Sequence, residues 1–298
     1  MELYTFCSEF LDVYKKPFLK PSTYERYQTA LKLVPPELQL ETLTPIELQK
    51  IINNLFERKY SATSIRHVKI IISQAIKKAR QLGYSVGCDF TLVDMPKNAY
   101  KEPVYAFNSE QQRLLLHYCR DSYYYNLFYA LLLTGCRVGE LIALSWADID
   151  LKRGYFWIRH TDYHGELLTP KTAESVRKLP ISEALQRVFI SQYRFGAVAG
   201  RVFKNTLDMP VKYRTLLDAW HRVLDRANLP LVGLHTLRHT YATNALRAGV
   251  DVKVLSKLLG HASVSVTLDI YCDVADEDKT AANTKITSYL EGLYGVLG

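Results

Sequence analysis

Apolar residues recur every three to four positions through residues 1–93, the period of helices that bury one face. Leu3, Phe6, Phe10 and Val13 open the pattern, and a second run follows Pro21-Ser22. Thr44-Pro45-Ile46-Glu47 reads as a helix start, with Thr at the N-cap, Pro at the first helical position and Glu placed to close a capping box. It predicts a helix through about Glu57. The longest helix begins near Ser61. Its stripe is Ile65, Val68, Ile72, Ala75, Ile76, Ala79 and Leu82, and Gly83 supplies the stop. The expectation is a four-helix bundle.

Residues 94–106, DMPKNAYKEPVYA, lose the period and contain Pro96 and Pro103, which disfavour helix at and before them. They read as a linker. Asn108-Ser109-Glu110 then gives a fresh N-cap signal. Helical patterns cover about 109–120, 123–134 and 137–145. Strand-like segments follow at Gly154–Arg159, Glu166–Thr169 and Val176–Ile181, the last two expected to form a hairpin around Thr172–Ser175. Helix returns at about 182–194, 212–227, 235–248, 251–259 and 263–271. The tail from Asp276 places Ile286, Leu290 and Leu293 on one side of a further helix. The whole reads as a mainly α protein with a small antiparallel β-sheet.

Composition narrows the function classes. The 298 residues suit two domains, and 48% apolar with 23% charged residues excludes disorder, collagen and coiled coil. No apolar run approaches the ~20 residues of a membrane helix, and the N-terminus lacks a signal-peptide pattern. Five scattered cysteines without a C-x-x-C pair point to free thiols in a reducing cytosol. The net charge of +8 favours a polyanionic partner. Within the bundle, Arg66, Lys69, Lys77 and Lys78 of the long helix are candidates for phosphate contacts, with a solvated basic face as the plain alternative.

Candidate chemistry lies in the second domain. In Thr134-Gly135-Cys136-Arg137-Val138-Gly139-Glu140-Leu141, Gly135 allows a sharp turn into a new helix. Arg137 falls in its first turn, where backbone N–H groups favour an anion, with Glu140 three residues on. His235-Thr236-Leu237-Arg238-His239 puts His235 and Arg238 on one helical face. The i, i+4 histidines have metal-ligand spacing, but Thr236 stands where a zinc protease needs its Glu, and no metal is expected. His261 follows Gly260, and Tyr271 lies ten residues further on among 21 tyrosines.

Taken together, TGCRVGEL, TPKT, HTLRHTYAT and LLGHASVSVTLDIY resemble the tyrosine recombinase (phage integrase) family, whose signature is Arg, Lys, His-x-x-Arg, His/Trp and Tyr in that order. The resemblance implies a helical core-binding, SAM-like domain over 1–93, a linker over 94–106 and a catalytic domain over 107–298 with a tail at 276–298. It further implies that Arg137 and Arg238 clamp the scissile phosphate and that Tyr271 is the nucleophile, forming a 3′-phosphotyrosine. Lys171 would be the general acid, with Lys178 and Lys152 as competitors. His235 would move the nucleophile's proton, His261 would bond a non-bridging oxygen, and Glu140 would orient Arg137. No cofactor is implied. The implied partner is double-stranded DNA carrying specific sites, acted on by a homotetramer on synapsed DNA that is a monomer when free, in the cytoplasm at the nucleoid. Strand exchange would serve integration, excision or dimer resolution. The alternative is a type IB topoisomerase-like or telomere-resolving enzyme. The bundle starts almost at Met1, where many mobile-element integrases carry an arm-binding domain; a two-domain, Xer-like protein and a piece of a longer chain are both open at this point. The resemblance implies a tail that docks on a neighbouring protomer, with docking on its own catalytic domain as the plain alternative.

Overall fold

A computed structural model describes residues 1–96, 104–169, 176–195, 200–261, 263–271 and 287–288, with the side chains of 194–195, 266 and 269–271 left undescribed. The chain divides into two compact units, Met1–Pro103 and Val104–Gly298. The division falls inside the proline-bearing segment 94–106.

The first unit contains α1 (Leu3–Phe10), α2 (Pro21–Leu31), α3 (Pro45–Glu57) and α4 (Ala62–Gln81). The Thr44 box forms as the sequence predicts. The Glu47 N–H donates to Thr44 Oγ1 at 3.2 Å, and the Thr44 N–H donates to Glu47 Oε2 at 2.9 Å. α4 packs against α1, α2 and α3, and Leu3, Leu48, Ile52, Ile65, Val68 and Ile72 are fully buried. Gly83 adopts φ +84° just past α4. Two members of the expected stripes point outward instead. Val13 is exposed because α1 widens into a π-type turn at Leu11–Lys15, which shifts the helical phase. Leu82 is exposed because it caps α4 rather than extending it.

The second unit begins with α5 (Ser109–Cys119), capped by Asn108 with Gln111 closing the box, then α6 (Tyr125–Thr134) and α7 (Val138–Ala143). Strands β1 (Ile149–Asp150), β2 (Tyr155–Ile158), β3 (Thr161–Tyr163), β4 (Glu166–Leu168) and β5 (Arg177–Pro180) follow. Helices α8 (Glu183–Phe195), α9 (Tyr213–Arg226), α10 (His235–Arg247), α11 (Val252–Leu259) and α12 (Val264–Tyr271) complete the described part. Phe107, Phe128, Phe156, Phe189 and Trp220 anchor the core. α6 runs through it against α10 and α8.

The expected hairpin between 166–169 and 176–181 does not form. β4 pairs with β3, and β5 pairs with β2, so the three-stranded sheet runs β1-β2-β5, all antiparallel. The turn that takes the β4 partner is His164-Gly165, with φ +53° and +94°. Two positive-φ residues in a row favour a primed two-residue hairpin loop. A His at its first position hides that signal.

Candidate active site

Two left-handed glycines set the geometry. Gly135 ends α6 at φ +62°, and a Cβ there would lie 2.3 Å from the Tyr241 ring. The chain thus turns tightly and delivers Arg137 as the residue capping α7. Gly260 ends α11 at φ +67° and delivers His261.

The last carbonyls of a helix lack backbone donors and carry the negative end of its dipole. In α11 and its cap, three consecutive carbonyls each take a different arginine. Arg177 Nε donates to Leu258 O at 2.8 Å, Arg238 Nη2 to Leu259 O at 2.9 Å, and Arg137 Nη2 to Gly260 O at 3.3 Å. Arg238, only 3% exposed, also donates to Gly135 O at 2.9 Å. The turns before Arg137 and before His261 are thereby tied to one guanidinium. Burial and the nearby Arg137 charge lower the Arg238 pKa to about 10. It remains a cation at neutral pH.

Glu140 lies beneath Arg137, with 4% exposure. Its carboxylate accepts from Arg137 Nη1 at 2.9 Å and from the Arg137 backbone N–H at 2.8 Å. It also takes a bidentate hold from Arg177 at 3.0 and 2.8 Å. Burial works to raise the Glu140 pKa, but the hydrogen bonds and charges of Arg177 and Arg137 outweigh it and hold the group below the usual carboxylate range. Burial likewise opposes the charge of Arg177, and the bonds to Glu140 prevail and raise its pKa. Arg177 is the residue that sequence reasoning missed. The available signal was strand parity: Arg177 shares a face with Leu179, and both are buried, whereas Lys178 and Pro180 face out.

Three histidines flank the arginines. His235 opens α10, and its ring lies 4.7 Å from the His239 ring, edge to face. His261 Nδ1 shares a 2.8 Å hydrogen bond with the buried Thr267 hydroxyl. Desolvation lowers the pKa values of His235 and His261 to about 4, aided at both by the charges of Arg238 and Arg137. His235 keeps an exposed surface, so solvent screens much of that repulsion. Desolvation also lowers His239. Cys136, beneath Arg177, is buried and its thiol is pushed up to about 11, which makes it a packing residue rather than a nucleophile.

The structure therefore brings Arg137, Glu140, His235, Arg238 and His261 together. Lys171 lies outside the described residues. Tyr271 is the last residue of α12, the helix that follows the His261 turn, and its side chain is also outside them, as is most of the tail. Of the competing lysines, Lys178 sits with its ammonium 3.5 Å from the Tyr155 ring centre, on the sheet face opposite Arg177. Lys152 is exposed just beyond β1. On α4, Arg66, Lys69 and Lys77 follow helical spacing along one face, while Lys78 lies over the Tyr14 ring at 4.3 Å. Among the described residues, no three His, Cys, Asp or Glu side chains are grouped to hold a metal ion. No helix among them is long and apolar enough to cross a membrane.

The family match and the relatives show a DNA breaking-rejoining enzyme of the tyrosine recombinase class. Residues 106–278 match the profile of the phage integrase family, and residues 2–56 match that of the phage integrase N-terminal SAM-like domain. The chain belongs to the phage integrase family. It is 26% identical over 300 residues to a XerC-like tyrosine recombinase of Caldanaerobacter subterraneus subsp. tengcongensis, covering 88% of this chain and 77% of that one. It is 25% identical over 303 residues to the tyrosine recombinase XerC of Oceanobacillus iheyensis, covering 96% of each. In fold it is similar to the Tn1549 transposon integrase in complex with transposon right end DNA, with TM-score 0.78 and 21% identity over 97% of this chain and all of that one. A lambda integrase tetramer bound to a Holliday junction gives TM-score 0.72 at 19% identity, covering 93% of this chain and 80% of that one.

Proposed function

We propose that this protein is a site-specific DNA recombinase that cuts and rejoins duplex DNA through a 3′-phosphotyrosine, exchanging strands between two duplexes. The observation that carries this reading is the gathering of Arg137, Arg238, His235 and His261 around the α11 turn. Two guanidinium cations, and two imidazoles whose protonation burial and those cations disfavour, form a site short of negative charge. A phosphodiester supplies that charge, and guanidinium forks suit its oxygens.

The roles follow from chemistry. Arg137 and Arg238 hold the non-bridging oxygens and stabilise the charge that builds on them. His261 donates to one of those oxygens. The Tyr271 hydroxyl attacks phosphorus, the bond to the 5′ oxygen breaks, and the tyrosine proton passes to His235, which is neutral at pH 7. Lys171 delivers a proton to the departing 5′ oxygen. The new ester conserves the phosphodiester, so a 5′-hydroxyl from a second strand reverses the step without ATP. The DNA complexes of the Tn1549 and lambda integrases support a duplex partner and an assembly formed on DNA. The N-terminal bundle, with residues 1–93 as its bounds, would be a second DNA-holding domain.

The test is a covalent protein–DNA band on a denaturing gel after incubation with nicked duplexes selected from a random pool for binding. Wild-type protein should form it in EDTA as well as without. Tyr271→Phe should bind the same duplexes and form none. A band from Tyr271→Phe overturns the assignment of the nucleophile, and a wild-type band that needs added metal overturns the charge-stabilising role of the side chains.

A further inference from the structure

Arg177 is buried away from the solvent face of the site, yet it is bonded to both elements that present the reactive groups. Its Nη1 and Nη2 fill one lone pair on each oxygen of Glu140, at 3.0 and 2.8 Å. The other two positions go to Arg137, one to its Nη1 and one to its backbone N–H. A carboxylate offers about four acceptor positions, so Glu140 is saturated. The third Arg177 donor, Nε, holds Leu258 O, the first of the three carbonyls that end beside His261.

This geometry points to Arg177 as a positioning residue for phosphodiester binding: it locks Glu140 and the α11 turn at one mutual setting, and so aims Arg137 and His261. The inference rests on reading the cluster as a phosphodiester site. Arginine is suited to the place because its donors form a rigid planar fork, two for the carboxylate and Nε for the carbonyl, which a lysine ammonium cannot reproduce. Gly260 fits the same plan. A Cβ on it would lie 2.9 Å from Arg177 Nη1, so the guanidinium packs on a bare α-carbon. Without Arg177, Glu140 regains two acceptor positions facing a single partner. It can then draw both Nη groups of Arg137 toward itself and away from an anion.

The experiment uses the full chain and inorganic phosphate as probe, followed by NMR of the His261 imidazole between about pH 4 and pH 7, where the probe is largely a monoanion like a phosphodiester. In the wild type, phosphate should raise the His261 titration midpoint. In Arg177→Met and Arg177→Lys that rise should be lost, and the phosphate Kd should increase about tenfold, the worth of a misdirected charge-assisted bond. Arg177→Lys keeps a cation beside Glu140, so it should fold even where Arg177→Met does not. A folded variant with wild-type Kd and the wild-type His261 response overturns the positioning role. If neither variant folds, Arg177 serves the fold alone and the proposal is wrong. If the wild type itself ignores phosphate, the phosphodiester reading falls and takes this inference with it, an outcome distinct from the variants failing alone.

Discussion

The two units bury different kinds of residue. Among the described residues, every buried polar or charged side chain belongs to the second unit: Thr134, Glu140, Asp148, Arg177, Thr236, Arg238, Thr240, Ser256 and Thr267. The first unit buries only apolar side chains and keeps ion pairs such as Arg80–Asp89 at its surface. An apolar core needs only the right periodicity and volume. A core threaded by arginines needs each donor matched to an acceptor, because an unmatched one costs more than a matched one contributes. The first unit therefore tolerates substitution at its charges, and the second does not where those charges are buried, as at Arg177 and Glu140.

The sharpest way to break that contrast is Glu140→Gln. It leaves Arg177 buried with a neutral partner, and loss of one side of a buried ion pair costs about 3–5 kcal/mol. Hydrogen exchange should quicken in α7 and α11 while α4 keeps its protection. Equal loosening of both units would show that the polar network does not belong to the second unit alone. A milder version is Gly260→Ala. The left-handed backbone and the 2.9 Å approach to Arg177 make a loss of about 1–3 kcal/mol the expectation. An unchanged unfolding midpoint in denaturant would mean the turn can relax around the added methyl.

The same contrast decides what could be read from the residues alone. In the first unit the 3.6-residue period and the Thr44 box located the helices, since apolar stripe and burial coincide there. The π-type turn at Leu11–Lys15 escaped because periodicity assumes one winding. In the second unit, Arg137, His235, Arg238 and His261 stand out by their order along the chain and Glu140 by its spacing from Arg137, and the structure brings these five side chains together. Arg177 escaped because a charged residue in a strand is ordinarily assigned to solvent, and only its parity with Leu179 said otherwise. The β3–β4 pairing escaped because His164 can adopt positive φ without being a customary turn residue. What links α11 to three arginines is a set of backbone carbonyls, and carbonyls have no signature in a sequence.

A smaller effect is expected with pH. His235 and His261 have folded pKa values near 4, below the ordinary 6.5 of an imidazole. Between those values the unfolded chain binds more protons, so the stability they contribute is full above about pH 6.5 and is lost as pH falls toward 4. After screening at the exposed His235 this amounts to about 1 kcal/mol, or a few degrees in Tm. Phosphate should restore part of it by supplying the missing negative charge. A His235→Gln, His261→Gln double variant should flatten the profile, and a Tm that still falls over this window in that variant would assign the effect elsewhere.

The smallest stability effect is expected on α4, where the consequence for binding is the informative part. Arg66 and Lys77 are exposed on one face of the helix, and Lys69 lies on the same face near the Phe90 ring. Neither Arg66 nor Lys77 supports the apolar core, so Arg66→Ala and Lys77→Ala should each change unfolding free energy by less than about 0.5 kcal/mol. If that face meets a duplex, each lost cation releases about one fewer counterion, and the slope of log K against log salt should flatten by about 1 per substitution. Lys78 supplies the comparison within the same helix. Its ammonium is engaged over Tyr14, so Lys78→Ala should flatten the slope less. Binding measured across a salt series on mixed-sequence duplex separates the cases. Identical slopes for wild type, Arg66→Ala and Lys77→Ala would make this a solvated face and move the first unit's DNA contacts to other cations.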